Sequence, residues 1–134
     1  MNEKHIVTAV DRLGNLHIST LLAKRTNDTC ELTLRNDALE ECHVSSDDFF
    51  SALRDLREQI EKTGWRLLVK GAARNVWASG MSRSMGGGIK AYQLEKGIAS
   101  SLDRMVNIFE PADEAEVGTV AEQEAFFSDW VTSR

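Results

Sequence analysis

The chain has 134 residues and a mass of 14.9 kDa, the size of one domain (1–134) with enough material for a core without metal or disulfide staples. Hydrophobic residues at 42% and charged residues at 28% fit a soluble globular protein. No apolar run approaches the roughly 20 residues of a membrane span, and the alternating start MNEKHIVTAV lacks the apolar centre of a signal peptide, so a cytoplasmic protein is expected.

In chain order, Ile6 to Val10 and Leu16 to Leu22 alternate with period two around Asp11-Arg12-Leu13-Gly14-Asn15. Ile6, Thr8 and Val10 share one face, as do Leu16, Ile18, Thr20 and Leu22, and the Gly-Asn pair between them signals a hairpin. After the polar stretch Lys24 to Thr29, the runs Cys30 to Arg35 and Leu39 to Val44 read as a second hairpin bent at Asn36-Asp37. Its register stays open, because a slip of one residue inverts the buried face. Ser45 or Ser46 can cap a helix whose first turn is favoured by Asp47 and Asp48. Phe49, Ala52, Leu53, Leu56 and Ile60 fall within one arc of that helix, expected over Ser46 to Thr63. Arg54 with Glu58, Arg57 with Glu61 and Glu58 with Lys62 have i, i+4 spacing for its wet side.

Gly64 ends the helix, and Trp65 to Lys70 reads as a strand. Ile89 to Glu95 alternates again, and Met105 to Phe109 is apolar enough for a central strand closed off by Pro111. Ala112 to Gly118 is an acidic loop, and Thr119-Val120-Ala121-Glu122 has capping-box spacing. Val120, Phe126, Phe127, Trp130 and Val131 follow on one broad face of a closing helix, expected over Thr119 to Thr132. The order β-β-β-β-α-β-β-β-α, with hairpin-like connections, predicts an α+β fold: a mostly antiparallel sheet of about five to seven strands with two main helices on one face.

Charge is laid out unevenly around a formal net charge of -5. From Lys62 to Arg104 eight basic residues are opposed only by Glu95 and Asp103, whereas Met105 to Ser133 holds no Lys or Arg and accumulates acids. The two regions either cancel by folding together or mark a partner surface. Under the second reading Glu110, Asp113, Glu114, Glu116 and Glu122 are the contact candidates.

Catalytic and metal motifs are wanting. Gly80 to Lys90 (GMSRSMGGGIK) departs from a phosphate-binding P-loop, because Ile89 separates Lys90 from the glycines, Ala91 follows it and a strand comes next. Three consecutive glycines suit a turn with positive φ or a close backbone approach. Cys42 and His43 are adjacent, so on a strand they point to opposite faces, and no C-x-x-C or H-x-x-x-H pair exists. A Cys30–His43 nucleophilic pair across the hairpin is conceivable, although half-buried structural roles for such residues are commoner. The expectation is therefore two free thiols, no metal, no cofactor and no enzymatic activity. The basic residues interleaved with aromatics offer an alternative loop site, Arg74, Trp77, Arg83 and Lys90, for a nucleic-acid-binding module over 62–104. A sequence pI of about 5.2 argues against it. An unrecognised small enzyme is the third reading.

The block Arg74-Asn75-Val76-Trp77-Ala78-Ser79-Gly80-Met81, followed by Met85-Gly86-Gly87-Gly88 and Lys90-Ala91-Tyr92, resembles one found in small bacterial proteins, and the chain is similar in kind to the compact acidic immunity proteins that accompany contact-dependent toxins. That resemblance implies a small cytosolic protein that binds a cognate protein partner such as a basic toxin domain, with no catalytic residue. A cationic nuclease groove, built for phosphate, is what a small acidic domain can occupy and be steered towards by charge.

Overall fold

A computed structural model describes residues 2–133. The fold is α+β, with eight strands and three α-helices in mostly antiparallel arrangement among the described residues. Strands β1 (Asn2–Val10), β2 (Leu16–Thr26), β3 (Thr29–Arg35) and β4 (Cys42–Ser46) form an antiparallel meander. The two-residue strand β5 (Arg66–Leu67) pairs with β1 on its other edge, giving the order β4-β3-β2-β1-β5. Strands β6 (Val76–Trp77), β7 (Lys90–Gln93) and β8 (Met105–Asn107) make a second sheet in the order β6-β7-β8. Segment 108–112 joins the two: Ile108 N–H donates to the Ile89 carbonyl, Gly71 N–H to that of Ile108, and Lys70 N–H to that of Glu110.

The first hairpin forms as its alternation predicts, but its more apolar face is the outer one. Val7, Ala9, Ser19, Leu21 and Ala23 point into the core, while Ile6, Leu16 and Ile18 are exposed. Helix α1 (Phe49–Glu61) explains the choice. Its Phe49, Phe50, Leu53 and Leu56 are fully buried in one cluster with Val7, Ala9, Leu21 and Ala23, so the face that carries those four is the one turned to the core. The cap of α1 is Asp48 rather than Ser45 or Ser46, its carboxylate accepting from Ser51 N–H (2.8 Å) and from the Ser51 hydroxyl (2.9 Å).

Three elements depart further from expectation. The run Trp65 to Lys70 keeps only β5 as regular strand, because Lys70–Ala72 winds into a 3-10 turn. Strand β8 lies at the edge of its sheet, not centrally. The Asn107 side chain accepts from Phe109 N–H (2.9 Å) and the Glu110 carboxylate from Asn107 N–H (2.8 Å), which turns the chain out of regular pairing. Within the glycine-rich segment a seven-residue helix appears, α2 (Gly80–Gly86), capped by Ser79 and ended by Gly87 in the left-handed region at φ +70°.

Helix α3 (Val120–Ser133) opens with the predicted capping box: Glu122 N–H donates to Thr119 Oγ1 (3.1 Å) and Thr119 N–H to Glu122 Oε1 (2.8 Å). Its most buried side chain is Gln123. Gln123 meets Arg57, which the i, i+4 pattern places on the wet side of α1 but which lies in the core. No helix among the described residues is long and apolar enough to cross a membrane.

Candidate functional site

The loop from β6 through α2 to β7 holds most of the segment that stands out in the sequence, and it is anchored by an aromatic stack. Trp77, carried on β6, lies flat against Phe127 of α3, with ring centroids 4.3 Å apart and 7° between planes. Phe50 of α1 meets it edge-on at 5.4 Å. Two guanidinium groups complete the cluster. Arg54 lies 5.0 Å from the Trp77 centroid, and Arg83 of α2 lies 4.8 Å from that of Phe50 and 5.4 Å from that of Trp77. Each cation over an aromatic face is worth about 0.5–1 kcal/mol at exposed sites and more when desolvated.

Arg83 ties α2 down. Its Nε donates to the Ala78 carbonyl (3.2 Å) and its Nη1 to the Ser51 hydroxyl (3.2 Å), so the helix is fixed to its own N-terminal approach and to the first turn of α1. Burial lowers the pKa of Arg83 below the ordinary arginine value, with Asp48 acting against that shift and Arg54 with it. Arg54 is neutralised by a close ion pair with Glu124 of α3. The glycines after α2 set its other end. The Gly87 carbonyl accepts from Phe49 N–H (2.6 Å), one of the orphan donors at the start of α1. Gly88, at φ +75°, approaches so closely that an added Cβ would lie 2.8 Å from Asp48 Oδ1 and 3.1 Å from Phe50 N.

What this scaffold displays is a pair of methionines. Met81 and Met85, four residues apart on α2, are 72% and 79% exposed. Beside them a cleft of about 370 Å³ opens between the β2–β3 turn, the start of α1 and α2, lined by Arg25, Asp28, Asp47, Asp48, Gly80, Arg83 and Ser84. Methionine and arginine are over-represented at protein interfaces, and the flexible thioether adapts to a partner's shape.

The acidic candidates lie elsewhere and are largely matched with the basic middle of the chain. Glu114 pairs with Arg66 (2.8 Å), Glu116 with Lys70 (2.8 Å) and Glu122 with Arg74 (3.8 Å). Two isolated bridges, Val69–Pro111 and Ala73–Val117, hold the segments 66–74 and 111–122 side by side, and the pairs follow one another in chain order along both. Glu122 is held below the usual carboxylate range, chiefly by Thr119 N–H and to a lesser degree by Arg74. Glu110 is exposed with one oxygen on Asn107 N–H, and Asp113 is exposed. The alternative loop site is divided: Trp77 and Arg83 meet, Lys90 is exposed at the start of β7, and Arg74 points to the acidic stretch, donating to the Ala115 carbonyl (2.8 Å).

The Cys30–His43 pair is not brought together. Cys30 is buried on the inner face of β3, with its thiol pKa raised by burial, whereas His43 projects from the outer face of β4 towards Thr33 and Glu31. Both cysteines are free, and no group of three His, Cys, Asp or Glu among the described residues could hold a metal ion. The Asp11 carboxylate meets His17 Nε2 at 2.9 Å, yet it also accepts from Leu13 and Asn15 N–H, which makes it the cap of the first hairpin turn.

Sequence reasoning names Trp77 and Arg83 but misses their partners Phe50, Arg54 and Phe127, which come from distant parts of the chain. It also misses Met81 and Met85 as a presented pair. The signal for the pair was available in Ser79 as N-cap and Gly87 as C′, which bracket a helix between them. No protein-family model matches this chain, and no curated protein matches its sequence.

Proposed function

We propose that the protein acts by binding another protein, as an immunity-type inhibitor does, and that α2 forms the centre of the contact. One observation carries the reading: Met81 and Met85 are exposed on a helix whose base is fixed by Arg83, Trp77 and Phe50. Exposed apolar side chains gain from burial by a partner, and a tethered helix spares the entropy of ordering the backbone that carries them. Asp28 and Asp47 at the rim of the adjoining cleft, with a net charge of -5, favour the approach of a basic domain such as a toxin. The acids 114, 116 and 122 already face cations of the same chain, so their share in attracting a partner is reduced.

The test is recovery of the partner from the source cell with tagged full-length protein, comparing the wild type with the Met81→Glu/Met85→Glu variant. A basic protein recovered in equal amount by the wild type and lost with the variant, at unchanged melting temperature, is the expected result. Loss on reversal of Asp113, Glu114 and Glu116 with the methionine variant still active would move the contact to the acidic stretch. Nucleic acid alone, released by salt, would replace the reading altogether.

A further inference from the structure

The cross-strand register sets four side chains in one row across the first four strands. Lys4 stands opposite Leu22, Leu22 opposite Thr33, and Thr33 opposite His43. Glu31 precedes Thr33 by two positions on β3 and so shares its face. The His43 ring bridges these two residues of β3. Its Nδ1 is 2.8 Å from Thr33 Oγ1, and its Nε2 is 3.3 Å from Glu31 Oε1. Together with Lys24 they line a pocket of about 300 Å³.

The two contacts decide where the proton of the neutral imidazole sits. A carboxylate only accepts, so Nε2 carries the N–H and donates to Glu31. Nδ1 keeps its lone pair, and the Thr33 hydroxyl donates to it. That is the order of a nucleophile, its base and a group that orients the base, which is recognised by geometry and not by position in the chain. The Glu31 contact is at the long end of hydrogen-bond range, as such contacts often are before substrate binds. On the other side of Thr33, the half-buried Leu22 gives the pocket an apolar wall. Lys4, beyond it, is exposed and makes no ion pair among the described residues, since the pocket's acids Glu3 and Glu31 lie against His5 and His43. An ammonium there can face the negative charge that grows on a carbonyl oxygen under attack. The volume is at the small end for a ligand site, which limits an acyl group to a short chain.

We propose that this cluster hydrolyses esters of short-chain carboxylic acids, an activity separate from partner binding at α2. Thr33 Oγ1 bonds to the ester carbonyl carbon while its proton passes to His43 Nδ1. The bond from that carbon to the alcohol oxygen then breaks, and His43 gives the proton to the leaving oxygen. Water attacks the acyl group on Thr33 and yields a proton to His43. The acid departs as Thr33 takes that proton back, so water is the only co-reactant. Leu22 holds the acyl chain and Lys4 faces the oxyanion. Glu31 is a positioning residue that keeps the Nδ1 lone pair towards Thr33.

The full chain incubated with p-nitrophenyl acetate tests the proposal. Saturable release of p-nitrophenol is expected, with an acetyl group mapped to Thr33 after an acid quench. Thr33→Val and His43→Gln should each lower kcat/KM by about a hundredfold, with circular dichroism and melting temperature retained. Thr33→Ser, which keeps a hydroxyl, should restore the activity in part. Glu31→Gln should lower kcat at unchanged KM, a split that a merely structural residue would not produce. Ile18→Gln, an exposed change outside the pocket, should leave the rate as it is. A wild type no faster than Thr33→Val would overturn the proposal. So would acetyl groups on Lys4 or Lys24 with Thr33 unmodified, because surface amines would then account for the p-nitrophenol. Activity lost in His43→Gln but kept in Thr33→Val would overturn it too, and would leave the imidazole acting alone.

Discussion

Arg57 Nη1 donates to Gln123 Oε1 at 2.7 Å, and both side chains are buried. Around this contact three stretches of chain meet. Arg57 also reaches the carbonyls of Gly71 (3.3 Å) and Gly118 (3.0 Å), and Gln123 Nε2 lies 2.9 Å from those of Gly71, Ala73 and Val76. Burial pulls the Arg57 pKa down to about 10, with Glu61 acting against the shift, so the guanidinium stays charged at neutral pH. A buried cation is tolerated here because carbonyl oxygens from the 3-10 turn and from the entry to α3 replace its water. Removing Gln123 takes a donor from those carbonyls and the acceptor from Arg57 Nη1 together. Gln123→Ala and Arg57→Met should therefore each cost about 3 kcal/mol or more in urea unfolding. In a double-mutant cycle the pair should couple by about 1 kcal/mol or more, and additive losses would show two independent sites.

This hub also shows where sequence reading stops. The capping box at Thr119 and Glu122, the apolar stripe of α1 and the β1–β2 alternation are local patterns, and all are present. Which face of the hairpin turns inward is not local. Ile6, Ile18 and Leu16 are more apolar than Ala9, Ser19 and Ala23, yet the smaller set lies on the face that joins the core with Phe49 and Phe50. Arg57 resembles a surface partner of Glu61 by spacing alone. Its position seven residues after the buried Phe50 puts it on the same flank of the helix, and that flank is closed only when α3 returns more than 60 residues later. The Trp77 stack has the same cause: its members come from α1, β6, α2 and α3, and no single window contains them.

Gly88 and Gly86 offer a matched comparison within one segment. Gly88 sits at positive φ with Asp48 and Phe50 inside contact distance of any Cβ, whereas a Cβ on Gly86 meets nothing within 4 Å. Gly88→Ala should cost about 1–3 kcal/mol, from backbone strain and from displacement of the Asp48 cap. Gly86→Ala should be neutral or stabilising by up to about 1 kcal/mol, since alanine is the better helix former. Thermal melts of the two variants decide it, and equal losses would remove the steric account.

Asp11 gives the fold an acid-sensitive turn. Its pKa is lowered from 3.8 to about 2, first by the hydrogen bond with His17 and then by the backbone N–H of Asn15. A carboxylate whose folded-state pKa is depressed stabilises the fold above its unfolded value, and that contribution is lost as pH falls through the folded one. Asp11→Asn keeps an oxygen for the turn but cannot ionise. The difference in melting temperature between wild type and variant should hold steady above the ordinary carboxylate range, then close between about pH 4 and about pH 2. A difference that stays constant across that interval would mean the charge has no part in holding the turn.

The ladder of Arg66–Glu114, Lys70–Glu116 and Arg74–Glu122 settles a question of sign that composition leaves open. An acidic stretch held apart from cations destabilises its own fold by repulsion, so reversing one of its charges would raise the melting temperature. Here each of the three carboxylates faces a cation across the antiparallel bridges. Reversal should therefore lower stability, and only slightly, because partly exposed ion pairs are worth up to about 1 kcal/mol each. Glu116→Lys is the most informative single change, since Glu116 and Lys70 are the least exposed pair of the three. It should lose stability in low salt, lose less as salt screens the new Lys–Lys repulsion, and be restored in the Lys70→Glu/Glu116→Lys swap. A melting temperature that rises on Glu116→Lys would show that the acids act as an unopposed patch, and would return them to the front as the surface a basic partner meets.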